Sequence, residues 1–159
     1  MTSERGFSLI EIMVVIIIIG VTVGFAMIAF GDFGESRRLL FAAEQLSNTL
    51  ELAQQQAILE TSTLGLKIDD RGYQILKFKD LKHWTILSNK GVFKMNYFPK
   101  NTILKLNISK SKQLPTILIN ASGDMTPFVL SLGTPSQPDS VTLIGEHNGN
   151  LILRSGSIK

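Results

Sequence analysis

The sequence contains no cysteine and only two histidines, His83 and His147. The first absence excludes a disulfide framework, a thiol nucleophile, an iron–sulfur centre and cysteine-ligated zinc. The second leaves too few imidazoles for a histidine metal site. Charge is also scarce, at 18% of 159 residues with a formal net charge of +3, below the usual ~25% charged. So small an excess does not announce nucleic-acid binding. Apolar residues make up 44% of the chain, too many for a disordered polypeptide. At about 150 residues per domain, the length holds one globular domain and whatever segment lies outside it.

Catalytic templates are missing as well. Ser109 to Lys112 matches S-x-x-K, but it sits in a polar loop without the companion S-D-N or K-T-G motifs, so it reads as a solvated turn. His83 and His147 have no partner at metal-ligand spacing. Asp69, Asp70 and Asp80 do not form a calcium loop, and no glycine loop cradles a phosphate. The expectation is a protein that is not an enzyme and uses no metal or cofactor.

What the chain does have is one long greasy run. Ile12 to Phe30 reads IMVVIIIIGVTVGFAMIAF, with no charge and one hydroxyl, Thr22. A helix of that length covers about 29 Å, close to the thickness of a hydrocarbon core. It shows no polar face, as a helix inside a small domain would. A removable secretory signal fits poorly, because the run is long and Ala26-Met27-Ile28-Ala29 has the wrong spacing for a cleavage site.

Glu11 stands at the start of this run, where a carboxylate costs free energy in lipid. Within the run, Gly20-Val21-Thr22-Val23-Gly24 matches G-x-x-x-G. Two glycines one turn apart let another backbone approach, or weaken the helix by about 1 kcal/mol each. Arg5 lies before the run and Arg37 and Arg38 after it, so the flanking charges leave the orientation open.

Gly31 to Gly34 break the apolar pattern and mark the membrane boundary. Ser36 can cap a new helix there. Leu39, Ala43, Leu46, Leu50, Ala53 and Ala57 then recur at spacings of four and three, a single helical stripe better suited to packing on a sheet than to a coiled coil. Beyond Thr61 the period becomes two. Leu64 to Ile68 and Tyr73 to Phe78 form a hairpin about Asp69 to Gly72. Trp84 to Leu87, Val92 to Phe93, Thr102 to Ser109, Thr116 to Asn120 and Pro127 to Leu132 are further strands. Val141 to Ile144 pairs with Leu151 to Arg154. One long helix followed by short strands predicts an α+β fold with an antiparallel sheet or two.

Gly6-Phe7-Ser8-Leu9-Ile10-Glu11 ahead of an apolar helix resembles the class III signal of type IV pilins and type II secretion pseudopilins. Residues 117–132 and the closing Gly149 to Leu153 strand resemble the minor pseudopilin H group within that family. The resemblance implies a pilin-like lollipop, divided as 1–6 leader peptide, 7–31 transmembrane and assembly helix, 32–60 amphipathic helix and 61–159 β-rich head. It also lets the helix run on through Ser36, to a length near 80 Å from Phe7 to about Glu60.

The resemblance further implies cleavage by a prepilin peptidase between Gly6 and Phe7, and N-methylation of Phe7. Glu11 would then neutralise the Phe7 amine of a neighbouring subunit; at 4 Å and an effective dielectric of 20 this is worth about 4 kcal/mol. Gly20 and Gly24 serve helix packing or local extension. The implied setting is the bacterial inner membrane, single-pass, with the head in the periplasm. The implied partners are other pseudopilins, the inner-membrane lipid and the assembly platform. The function implied is that of a minor pseudopilin of the type II secretion pseudopilus. The alternative is a minor type IV pilin in pilus assembly or DNA uptake, for which Lys105, Lys110, Lys112, Arg154 and Lys159 would supply a basic patch. The lack of cysteine departs from major pilins, which often carry a C-terminal disulfide.

Overall fold

The computed structural model describes residues 8–80, 82–108 and 115–156, without the side chains of residues 28–33. It begins with α1, Leu9–Leu59, in which Gly31, Gly34 and Ser36 are internal positions. No proline interrupts these 51 residues. The isoleucine and valine run in the first part has weak helix propensity in water. In lipid, however, a helix satisfies every backbone group within the segment, and that requirement overrides propensity. The chain divides into two compact units, Met1–Glu35 and Ser36–Lys159.

The second unit is built on the helical stripe. Leu39, Ala43, Leu46, Leu50, Ala53 and Ala57 are each 1% exposed or less and share one core with strands from two sheets. The first sheet has the order β3-β2-β1-β6, with β4 also pairing β2; it comprises β1 Leu64–Ile68, β2 Gly72–Lys79, β3 His83–Ile86, β4 Asn96–Tyr97 and β6 Ile117–Ile119. The second has the order β5-β7-β8-β9, from Ile103–Ile108, Phe128–Gly133, Val141–Gly145 and Leu151–Ser155. All pairings are antiparallel. Alternate residues (Leu64, Leu66, Tyr73, Ile75, Ile117, Ile119, Phe128, Leu130, Leu132, Val141 and Leu143) fill the core, as a period of two requires. The fold is α+β.

The β1–β2 hairpin forms as its sequence predicts, with Leu66 opposite Ile75. Its turn is an Asx turn: the Asp69 carboxylate accepts from the backbone N–H groups of Arg71 and Gly72 at 2.9 and 3.1 Å. β8 and β9 also pair as expected.

One expectation needs correction. Val92 and Phe93 are not a strand but part of a 3₁₀ turn, Gly91–Phe93. The cause is Asn96, whose side-chain amide donates to the carbonyls of Val92 and Lys94 at 3.2 and 3.1 Å and diverts them from a ladder. The segment 116–132 is strand, turn, strand as expected, with β6 and β7 in different sheets; Ile119 of β6 makes an isolated bridge with Met125, three residues before β7 begins. The turn itself is set by Asn120 N–H to Asp124 O at 2.8 Å and by Gly123 at φ +89°.

Gly72 is a point of close approach, because a Cβ there would lie 2.0 Å from the carbonyl oxygen of Asn96. Gly72→Ala must therefore push β4 away from β2. The expected cost is about 1–3 kcal/mol, measurable as a lower urea midpoint in detergent, with no loss of membrane association. Next to it, Tyr73 packs on Phe98 with ring centroids 5.7 Å apart. Burial pushes the Tyr73 phenol up from its ordinary value. Near the end of α1, Lys77 pairs with Glu60; its hydrogen bond, then that of Gln56, holds the Glu60 carboxyl below the usual range.

Candidate functional site

Ser8 caps α1. Its backbone carbonyl and its hydroxyl both accept from the Glu11 N–H, at 3.0 and 3.2 Å. Ser8-Leu9-Ile10-Glu11 thus has the capping-box spacing S-x-x-E. This places the Glu11 carboxylate in the first turn, beside the positive end of the helix dipole. The S-x-x-E spacing is legible in the sequence; the bonds made here come from the Glu11 backbone N–H. Gly6 and Phe7, the expected cleavage and methylation positions, lie outside the described residues.

Leu9–Met27 is long and apolar enough to cross a membrane, with a mean hydropathy of 2.7 and none of it buried within the chain. The hydroxyl of Thr22 is satisfied internally by the carbonyls of Ile18 and Ile19. Among the described residues, nothing beyond their own stretch of helix lies within 4 Å of where a Cβ on Gly20 or Gly24 would stand.

The second unit contains a groove of about 710 Å³ between the start of its helix and the β4 segment, lined by Arg37, Arg38, Leu40, Phe41, Tyr97 and Pro99 among others. Buried Phe98 and exposed Gln45 also line it, and buried Asn96 is two positions from the first and hydrogen-bonded to the second. The Asn96 side chain accepts from Gln45 at 3.3 Å, and the Phe98 N–H donates to the Arg71 carbonyl at 2.9 Å. Tyr97, between them in register, is turned outward. Sequence reasoning missed this groove, although Phe41 falls off the Leu39/Ala43 stripe and signalled an outward aromatic. A smaller polar cleft of about 280 Å³ lies near Gln54, Ser122 and Gly149, where the Gln54 amide donates to the Gly149 carbonyl at 2.7 Å.

Other expected residues do not converge. His83 and His147 are both exposed, the first in β3 and the second in the turn between β8 and β9. Among the described residues, no group of three His, Asp or Glu side chains is placed to hold a metal ion. Lys105 and Arg154 share an outward row but lie on opposite edge strands of the second sheet. Lys105 also pairs with Asp139 at 3.4 Å. Lys110, Lys112 and Lys159, and the Ser109 to Lys112 loop, lie outside the described residues.

An apolar helix of membrane length with one acid at its start, and a head of amphipathic helix on antiparallel sheets, define a pilin-like, membrane-anchored subunit. The family comparisons sharpen this. The prokaryotic N-terminal methylation motif matches residues 1–27, and the type II transport protein GspH family matches residues 42–149. The chain is 30% identical to type II secretion system protein H of Pseudomonas aeruginosa over 145 residues, covering 83% of this chain and 84% of that protein. The protein of the same name from Aeromonas hydrophila is 24% identical, covering 81% of this chain and 80% of that one. In fold, the chain is similar to the minor pseudopilin EpsH of Vibrio cholerae, with a TM-score of 0.67 and 22% identity, covering 78% of this chain and 98% of that structure. The chain belongs to the type II transport protein GspH family.

Proposed function

We propose that the chain is made as a precursor, cut between Gly6 and Phe7 by a prepilin peptidase and methylated on the Phe7 amine. Its helix then leaves lipid to join the core of a short pseudopilus whose other subunits are also pseudopilins. The head, residues 61–159 on the amphipathic stretch 32–60, lies in the periplasm and contacts neighbouring subunits, and the inner-membrane assembly platform drives the transfer. The work is mechanical and involves no catalysis or cofactor.

One observation carries this reading: an apolar helical stretch from Leu9 to Met27 that none of the described residues buries, with the carboxylate of Glu11 at its start. Such a surface needs lipid or sister helices. A carboxylate among sister helices needs a cation, and the freed Phe7 amine is the nearest by sequence. Gly20 and Gly24, open to other molecules, suit close packing in that bundle. The methylation motif over residues 1–27 supports the processing step.

A deletion strain tests the secretory role. It is expected to retain type II substrates in the periplasm and to regain export when the chain is resupplied. Normal export together with lost pili or DNA uptake would instead place the chain in a type IV pilus.

A further inference from the structure

Phe41 and Tyr97 are the only strongly exposed aromatic side chains among the described residues of the second unit, at 67% and 72%. They line the same groove, which also holds Arg37 and Arg38, both exposed, against one carboxylate, Glu44. Exposed Lys100 follows Pro99 at its rim. Two arginines beside two outward aromatics is the composition of a membrane–water interface, where amphipathic rings sit at headgroup level and guanidinium groups meet phosphate.

Chain length restricts where this groove can be. Arg37 follows the last residue of the membrane-length segment, Met27, by ten positions. Ten residues reach at most about 35 Å when fully extended and about 15 Å as helix. The groove is thus tethered close to the bilayer whenever the anchor is inserted.

We infer that this groove is a docking surface for the anionic phospholipid bilayer, which holds the head against the membrane before the subunit enters the filament. The inference rests on the membrane-anchored reading above. The bilayer surface supplies both partners the groove lacks: phosphates for Arg37 and Arg38, and an apolar–polar boundary for Phe41 and Tyr97. Release on assembly would exchange those lipid contacts for contacts with neighbouring subunits.

The absence of cysteine makes the test direct, because one introduced cysteine is a unique labelling site. The full-length chain, spin-labelled at Val15→Cys, Glu44→Cys or Asn148→Cys, is placed in phosphatidylglycerol-containing or pure phosphatidylcholine vesicles. Collisions with oxygen and with a water-soluble nickel chelate then report lipid or water around the label. Label 44, in the groove but outside the aromatic and arginine contacts, is expected to show interfacial lipid contact in the anionic vesicles and much less in the neutral ones, with label 148 in water throughout. Arg37→Gln with Arg38→Gln should lower the docked-to-free ratio roughly 30-fold, the combined worth of two basic residues near an anionic surface. Water exposure of label 44 equal to that of label 148, or lipid contact indifferent to both lipid charge and the arginines, overturns the inference. So does protection of label 44 only when other pseudopilins are added, which makes the groove a subunit contact. Label 15 separates the two levels: if it is outside lipid, the anchor reading fails and the docking surface fails with it.

Discussion

Glu11→Leu is expected to insert into the membrane at least as well as the native chain, yet to enter pseudopili at least about tenfold less. Leucine removes the penalty of a carboxylate in lipid, about 2.5–3.5 kcal/mol at a helix centre and less near the interface. Poor insertion therefore cannot explain an assembly defect. What is lost is the charge partner of the Phe7 amine, worth about 4 kcal/mol before desolvation; even 1.4 kcal/mol of it left as a net loss is a factor of ten.

The cap on α1 adds a second arm to this prediction. Glu11 also occupies the last position of the S-x-x-E spacing, and its backbone N–H donates to the Ser8 hydroxyl. Glu11→Gln preserves a capping box, since glutamine serves at that position, but removes the charge. Charge pairing predicts that Gln fails as Leu does. A purely local capping role predicts that Gln assembles normally. The measurement is the fraction of each variant recovered in sheared pseudopili relative to membranes.

The second large effect concerns the head. Leu50 is fully buried in the stripe, whereas Leu52, two positions on, is 39% exposed. Leu50→Ala leaves a cavity between α1 and the sheets and is expected to cost about 2–5 kcal/mol. Leu52→Ala should cost less than about 1 kcal/mol, because little surface is removed from contact. Urea titration of both variants in detergent checks the difference. Equal losses would mean that the helix presents a different face to the core.

These two leucines also show what the sequence makes legible. Spacings of four and three from Leu39 to Ala57 can place those residues on one face of a helix and nowhere else, and the face is buried residue for residue. The alternation around Asp69 to Gly72 and between Val141 and Arg154 fixes two pairs of strands just as firmly. Such patterns succeed because burial on one face is a local demand repeated along the chain.

Features decided by distant partners are less legible. Ile117 and Ile119 alternate in the same way as Phe128 and Leu130, so periodicity cannot tell that β6 joins β1 while β7 joins β5 and β8. β4 has two residues, too few to show a period, and its place depends on Gly72 admitting the Asn96 backbone. The strand expected at Val92 and Phe93 fails because one side chain, Asn96, takes two of the local carbonyls. In the candidate site, Glu11 and the two glycines are visible as oddities in an apolar run. The groove is not visible, since Phe41 and Tyr97 lie 56 positions apart in the sequence and only the fold brings them to one surface.

The central claim is that the exposed helix is trimmed to start at Phe7 and passes from lipid into a bundle of sister helices. Mass analysis of the N-terminal peptide of the protein purified from native membranes tests it most directly. The account predicts that this peptide begins at Phe7 and carries a methyl group on its amine. A mature chain that keeps Met1 to Gly6, or that begins beyond Met27, would contradict it.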